Sequence, residues 1–296
     1  MSQITILLQA DTVDPRQSPN PERQHLSVFK KRHDLRNTDL ELISFVNERQ
    51  QYTSRADFLA QISPLQKGLE IGPFANPLLN NPNVKYLDVL PTEQLKVRAS
   101  TLGMDPELVP LISYIADENG FPEISESFDY LLSCHSIEHQ PDLVKHLNQV
   151  EQILLPGGKY FLIIPDKRYC FDHYIAESTI ADVVGAYLEQ RTVHTAKSVI
   201  EHRALTTHND PVEHFAGNHG DLSINQHDRV SHAINECRNA NGSYIDVHAW
   251  QFTPNSFIEI IGMLNDLKLI KFKITSVFQT ALNTQEFFAT LELVER

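Results

Sequence analysis

Histidine is the residue that stands out as able to do chemistry in this chain of 296 residues: there are 14, eight of them from His194 to His248. The side chain titrates near neutral pH, so it serves as a proton acceptor or a metal ligand. His135 and Glu138-His139 sit close together. His173 follows Asp172, and His208, His214 and His219 share one stretch with Asp210, Gly217 and Gly220. His248 lies in Asp246-Val247-His248. As general bases we single out His135, His139, His173, His208 and His214. Plainer roles stand beside these: pocket lining for His135 and His139, and a surface pair for Asp172 and His173. The second chemical group is a set of acids. Glu70 stands in Glu70-Ile71-Gly72, Asp88 comes 18 residues later, and Asp117 follows Ala116. A carboxylate such as Asp88 suits two ribose hydroxyls, and Asp117 suits an adenine amino group.

His208, Asp210, His214 and His219 are also potential metal ligands. The chain has no H-E-x-x-H, and Asp210 to His214 has an aspartate where H-x-x-E-H needs its first histidine. These spacings establish no site, and no metal is assigned.

The elements that must position these groups alternate between strand and helix. Strands are expected at Gly68 to Gly72, Val84 to Val89, Ile112 to Ala116, Phe128 to His135 and Lys159 to Ile164. Helices are expected at Thr92 to Leu102 and Pro141 to Leu155, the second stopped by Pro156-Gly157-Gly158. A further helix from Thr253 to about Leu267 leads to strands at Leu269 to Val277 and Glu286 to Val294. The alternation predicts a Rossmann-like, mostly parallel seven-stranded sheet with helices on both faces. Ligands bind beyond the carboxyl ends of such strands. Residues 1–62 read as an N-terminal loop and helical lid, with helices at Asp39 to Tyr52 and Ser54 to Ile62 and a basic cluster from Arg23 to Arg36. Residues 63–296 form the main domain. Within it the polar, mostly helical insertion 166–250, with loop chemistry at Thr206 to Ser223, is placed to cover a substrate.

The formal net charge is −13, a poor match for nucleic acid or an anionic membrane. No apolar run approaches the roughly 18 residues of a membrane span, and Ile4 to Leu8 is too short for a signal peptide. Cys134, Cys170 and Cys237 lie too far apart for a disulfide framework. A soluble, cytoplasmic protein is expected.

Over Lys67 to Ile164 and Thr253 to Val294 the chain resembles the class I S-adenosylmethionine-dependent methyltransferases. The likeness rests on Gly68-Leu69-Glu70-Ile71-Gly72-Pro73, Asp88, Phe128-Asp129, Ser136-Ile137-Glu138-His139 and Leu154-Leu155-Pro156-Gly157-Gly158. It implies S-adenosylmethionine as cofactor, held by Glu70, Gly72, Pro73, Asp88, Asp117 and His135. The first turn would face the methionine part, Asp88 the ribose and Asp117 the adenine. The sequence departs from the family in its first turn, where Gly72 is followed by Pro73-Phe74-Ala75-Asn76-Pro77 and no further glycine. There is no P-loop and no full G-x-G-x-x-G, which favours a cofactor without phosphate.

A weaker likeness, to a branch linked with glycan biosynthesis, rests on Ile164-Pro165-Asp166-Lys167-Arg168-Tyr169 and Thr207-His208-Asn209-Asp210-Pro211. It implies a sugar or glycan hydroxyl as acceptor. Two alternatives stay open: a cofactor-binding scaffold without turnover, and a metal-dependent enzyme that uses the histidine-rich insertion.

Overall fold

A computed structural model describes residues 52–117 and 119–294. The helix expected at Asp39 to Tyr52 falls outside them except for Tyr52, and the basic cluster Arg23 to Arg36 falls outside entirely. The seven strands are β1 (Gly68–Ile71), β2 (Val84–Asp88), β3 (Tyr114–Ile115), β4 (Phe128–Cys134), β5 (Leu154–Pro165), β6 (Phe272–Phe278) and β7 (Glu286–Leu293). They form one sheet in the order β3-β2-β1-β4-β5-β7-β6. The first five pair in parallel, and β7 runs antiparallel between β5 and β6. The chain reverses direction of travel across the sheet at β1, so the carboxyl ends of β1 and β4 open a crevice there.

Alternation along the central strands explains the two main cores. Leu131, Tyr160, Leu162 and Ile164 point to one face; Tyr130, Leu132, Phe161 and Ile163 point to the other. The first face is covered by α3 (Leu143–Ile153) and α8 (Pro254–Asp266), which follow α1 (Arg55–Leu59) and α2 (Thr92–Thr101) in the chain's helix order. Helix α3 buries Leu143, Val144, Leu147, Val150 and Ile153, a 3.6-residue stripe. Asp142 caps it by accepting the Lys145 N–H. On the second face the five-residue α1 inserts Phe58, whose ring stacks on Phe288 at 4.9 Å.

The insertion holds α4 (Ile180–Leu188), α5 (Ala196–Leu205), α6 (Pro211–Phe215) and α7 (Gln226–Ala240). Arg203 on α5 grips Glu236 on α7 with two bonds of 2.9 Å. Among the described residues no helix is long and apolar enough to cross a membrane.

Several boundaries differ from expectation for local reasons. Helix α3 ends at Ile153, and the strand begins at Leu154 and runs through Pro156-Gly157-Gly158. Gly157 has φ +73°, and the β4–β5 register shifts between Phe128 and Tyr130, so these residues kink a strand rather than stop a helix. Strand β3 keeps two residues, since it pairs only with Leu87 and Asp88 at the sheet edge. Strand β6 starts at Phe272, three residues after Leu269. The loop expected from Thr206 to Ser223 contains α6, started by Asp210, which caps the Val212 and Glu213 N–H groups.

Phe58 is fully buried against Phe161, Phe278 and Phe288. Phe58→Ala is expected to lower unfolding stability by about 3–5 kcal/mol, read from urea denaturation curves.

Candidate active site

The crevice is built first from the turn after β1. Gly72 leaves the strand at φ +68°, where a side chain would be strained, and Phe74 follows at φ 45°. Two acids hold this turn. Asp88 accepts the Phe74 N–H at 3.1 Å and the Val89 N–H at 2.7 Å. Glu70 accepts the Leu78 and Leu79 N–H groups at 2.8 and 3.0 Å. The stiff turn with one glycine is thus tied down by both strand-end acids. Beside it lies a cavity of about 230 Å³ lined by Arg55, Glu70, Gly72, Pro73, Asn76, Cys134 and His135. Burial raises the pKa of Asp88, opposed by those two N–H groups and by Arg98. Asp117 is exposed just beyond β3, and its carboxylate accepts the Asn119 N–H at 2.7 Å.

Strand β4 ends at Cys134, and His135 turns out of it at φ 49° with its N–H on the Ile163 carbonyl at 2.9 Å. Its Nε2 lies 2.7 Å from Glu286 Oε2 at the start of β7. Arg55 of α1 donates two bonds of 2.7 Å to the same carboxylate. Burial opposes ionisation of Glu286, but the bonds from Arg55 and His135 hold its pKa at about 2. An ionised Glu286 accepts, so Nε2 of His135 carries the hydrogen and Nδ1 keeps a lone pair.

His135 also lines a second cavity, of about 310 Å³, with Glu138, His139, Phe171, His202, Asn209, Asp246, His248 and neighbours. Glu138 is fully buried and neither of its carboxylate oxygens has a hydrogen-bond partner. Around its Oε1 stand His248 Nε2 at 3.8 Å, His139 Nε2 at 3.9 Å and His135 Nδ1 at 3.9 Å. Each ring places its other nitrogen on a carboxylate: His248 on Asp172 at 2.6 Å, His139 on Asp246 at 2.9 Å, and His135 on Glu286.

The five candidate bases therefore separate. His135 and His139 line the larger cavity. His173, His208 and His214 gather with His219 in another cluster, outside the linings of both cavities. There His173 stacks on His219 at 3.6 Å, His208 stacks on His214 at 4.3 Å, and His214 Nδ1 lies 3.0 Å from His219 Nδ1. Asp172, Asp246 and Glu286 were not singled out as site residues from the sequence, and Glu138 and His248 were noted there without an assigned role. The pairs Glu138-His139 and Asp246-Val247-His248 were visible there as local signals; Glu286 gave none.

Glu70 has a measurable signature. Burial raises its pKa from 4.5 to about 7, against the two N–H bonds that favour the charged form. The unfolded chain thus loses this proton first as pH rises, so stability falls between about pH 4.5 and 7 and levels off above. Urea unfolding from about pH 5 to pH 8 should show a loss on the order of 3 kcal/mol. Glu70→Gln should remove that part of the slope.

Residues 71–162 match a family model described as "Methyltransferase domain". No curated protein matches the sequence. Among solved structures, the chain is similar to the S-adenosylmethionine-dependent methyltransferase from Mesorhizobium loti, at 12% identity over 81% of this chain and 98% of that one, with a TM-score of 0.42. It is similar to another such enzyme from Clostridium acetobutylicum, at 10% identity over 93% and 100%, with a TM-score of 0.41. The CcbJ methyltransferase from Streptomyces caelestis shares 14% identity over 38% of this chain, which spans only 52% of that protein, with a TM-score of 0.29. The assignment rests on the domain match and the observed sheet rather than on these likenesses. The chain thus carries a methyltransferase domain over residues 71–162, with its turn at the carboxyl end of β1, and S-adenosylmethionine is its cofactor.

Proposed function

We propose that the protein moves the methyl group of S-adenosylmethionine to a hydroxyl oxygen of a small polar, sugar-like acceptor. The observation that carries this reading is that His135 lines both cavities. In this reading the smaller cavity, at the Gly72-Pro73 turn, takes the methionine part of the cofactor. Asp88 takes the ribose, Asp117 the adenine, and the larger cavity takes the acceptor. Much of the larger cavity's lining comes from the insertion 166–250, through Cys170, Phe171, His202, Asn209, Asp246 and His248. That supports the insertion as the acceptor-binding part. A polar lining with several ring nitrogens suits a hydroxylated molecule better than an apolar one.

His135 acts as the base. An acceptor hydroxyl gives its proton to Nδ1 as its oxygen attacks the methyl carbon. Bound S-adenosylmethionine would supply that carbon, its sulfur keeping the electron pair of the broken carbon–sulfur bond and leaving as S-adenosylhomocysteine. Glu286 steadies the imidazolium that forms and fixes the ring's orientation, as a carboxylate does behind a catalytic histidine. His139, whose Nε2 faces the same cavity, contributes to the acceptor side.

Calorimetry with S-adenosylhomocysteine is expected to show binding by the native chain and a loss of about tenfold or more in Asp88→Ala. A panel of hydroxylated small molecules with methyl-labelled cofactor should yield one methylated product. His135→Ala should lower its rate by about 100- to 10,000-fold. A native chain that does not bind S-adenosylhomocysteine overturns the reading.

A further inference from the structure

We infer that Glu138, His139 and His248 form a binding site for a divalent transition-metal ion on the wall of the larger cavity, and that this ion holds the acceptor oxygen. The second half rests on the methyl-transfer reading; the metal site does not.

The starting point is electrostatic. A carboxylate that is fully buried with both oxygens unpartnered is strongly unfavourable unless a cation faces it. Two of the three nearest nitrogens, His248 Nε2 at 3.8 Å and His139 Nε2 at 3.9 Å, are too far for hydrogen bonds. They are also the wrong kind of atom for that purpose. Each ring directs Nδ1 at a carboxylate, Asp172 for His248 and Asp246 for His139, and so carries its hydrogen there. Two lone pairs and a carboxylate then converge, with the three ligand atoms within 4.8 Å of one another. A metal cation between them satisfies all three.

The spacing fits. Two ligands at about 2.1 Å from a tetrahedral ion lie about 3.4 Å apart, so each Glu138–histidine pair closes by about half an ångström, and the two histidine nitrogens by up to about 1.4 Å. The carboxylates behind the rings are the outer partners that orient metal-binding histidines. Two imidazoles and one carboxylate suit zinc, manganese, iron or cobalt. They do not suit magnesium or calcium, which want oxygen ligands, or copper(I), which wants sulfur. The remaining side of the ion faces the cavity, where an acceptor hydroxyl completes its coordination. An ion held there would acidify the acceptor hydroxyl, whose proton would pass to His135 Nδ1 as its oxygen attacks the methyl carbon and the carbon–sulfur electron pair moves to sulfur.

The other histidine cluster, His173, His214 and His219, is a weaker host. It has no carboxylate, and its His214 and His219 Nδ1 atoms lie 3.0 Å apart, close enough to satisfy each other by a hydrogen bond.

The test uses the full chain, made without an affinity tag, stripped with a chelator and kept free of cofactor and acceptor. Cobalt(II) is followed by visible absorption, and zinc and manganese by calorimetry. One ion per chain is expected. Glu138→Gln and His248→Ala should each weaken binding at least about tenfold, and Asp172→Asn about 10- to 100-fold. His219→Ala should leave it unchanged. Circular dichroism and S-adenosylhomocysteine affinity, both unaltered, show that the variants are folded. No ion bound by the native chain overturns the site, as does binding lost in His219→Ala and kept in Glu138→Gln. A chain that binds cobalt but not S-adenosylhomocysteine keeps the metal site and removes the methyl-transfer reading; the reverse result removes the metal site alone.

Discussion

The carboxylate of Glu286 is the contact on which the site's geometry depends. It receives the two-pronged guanidinium of Arg55, 231 residues away in sequence, and the ring of His135, 151 residues away. Helix α1, the end of β4 and the start of antiparallel β7 therefore meet at one buried charge. A bidentate arginine bond to an ionised acid is among the stronger polar contacts. Here it keeps Glu286 ionised, which fixes the tautomer of His135 and leaves Nδ1 free to accept. The left-handed backbone at His135 directs the ring between the two cavities. If Glu286 were apolar, Arg55 would lose its partner and the ring its orientation.

The same economy of acids operates at the first turn. Glu70 and Asp88 leave adjacent strands and bind main-chain N–H groups of one loop. A turn pinned by two carboxylates and stiffened by Pro73 and Pro77 has little need of extra glycine. The net charge of −13 thus includes acids with structural work: Glu70 and Asp88 on the turn, Glu286 on Arg55 and His135, Asp172 and Asp246 behind histidines. Glu138 stands apart from these because neither of its oxygens has a hydrogen-bond partner.

Local pattern made the sheet readable in advance. A four-residue buried strand leading into Gly72, a strand ending at Asp88 and the α3 stripe are all recorded within short windows of sequence. The mostly parallel seven-stranded sheet expected from the alternation is the sheet observed, and its strand order came only with the structure. What was not readable depends on distant partners. His248 and Asp172 are 76 residues apart, and His139 and Asp246 are 107 apart. Nothing in either segment announces its partner. The histidines of the insertion divide in the structure: His202 and His248 line the larger cavity, while His208, His214 and His219 stack with His173 elsewhere. Glu286 looked like an ordinary strand residue because its importance lies in what packs against it.

The central claim is that one ring, His135, stands between donor and acceptor. A crystal structure of the chain with S-adenosylhomocysteine tests it most directly. The account predicts the sulfur beside the His135 ring, the ribose hydroxyls on Asp88 and the larger cavity left open to an acceptor. Density for the cofactor inside the larger cavity, against Glu138 and His248 and away from Asp88, would contradict it.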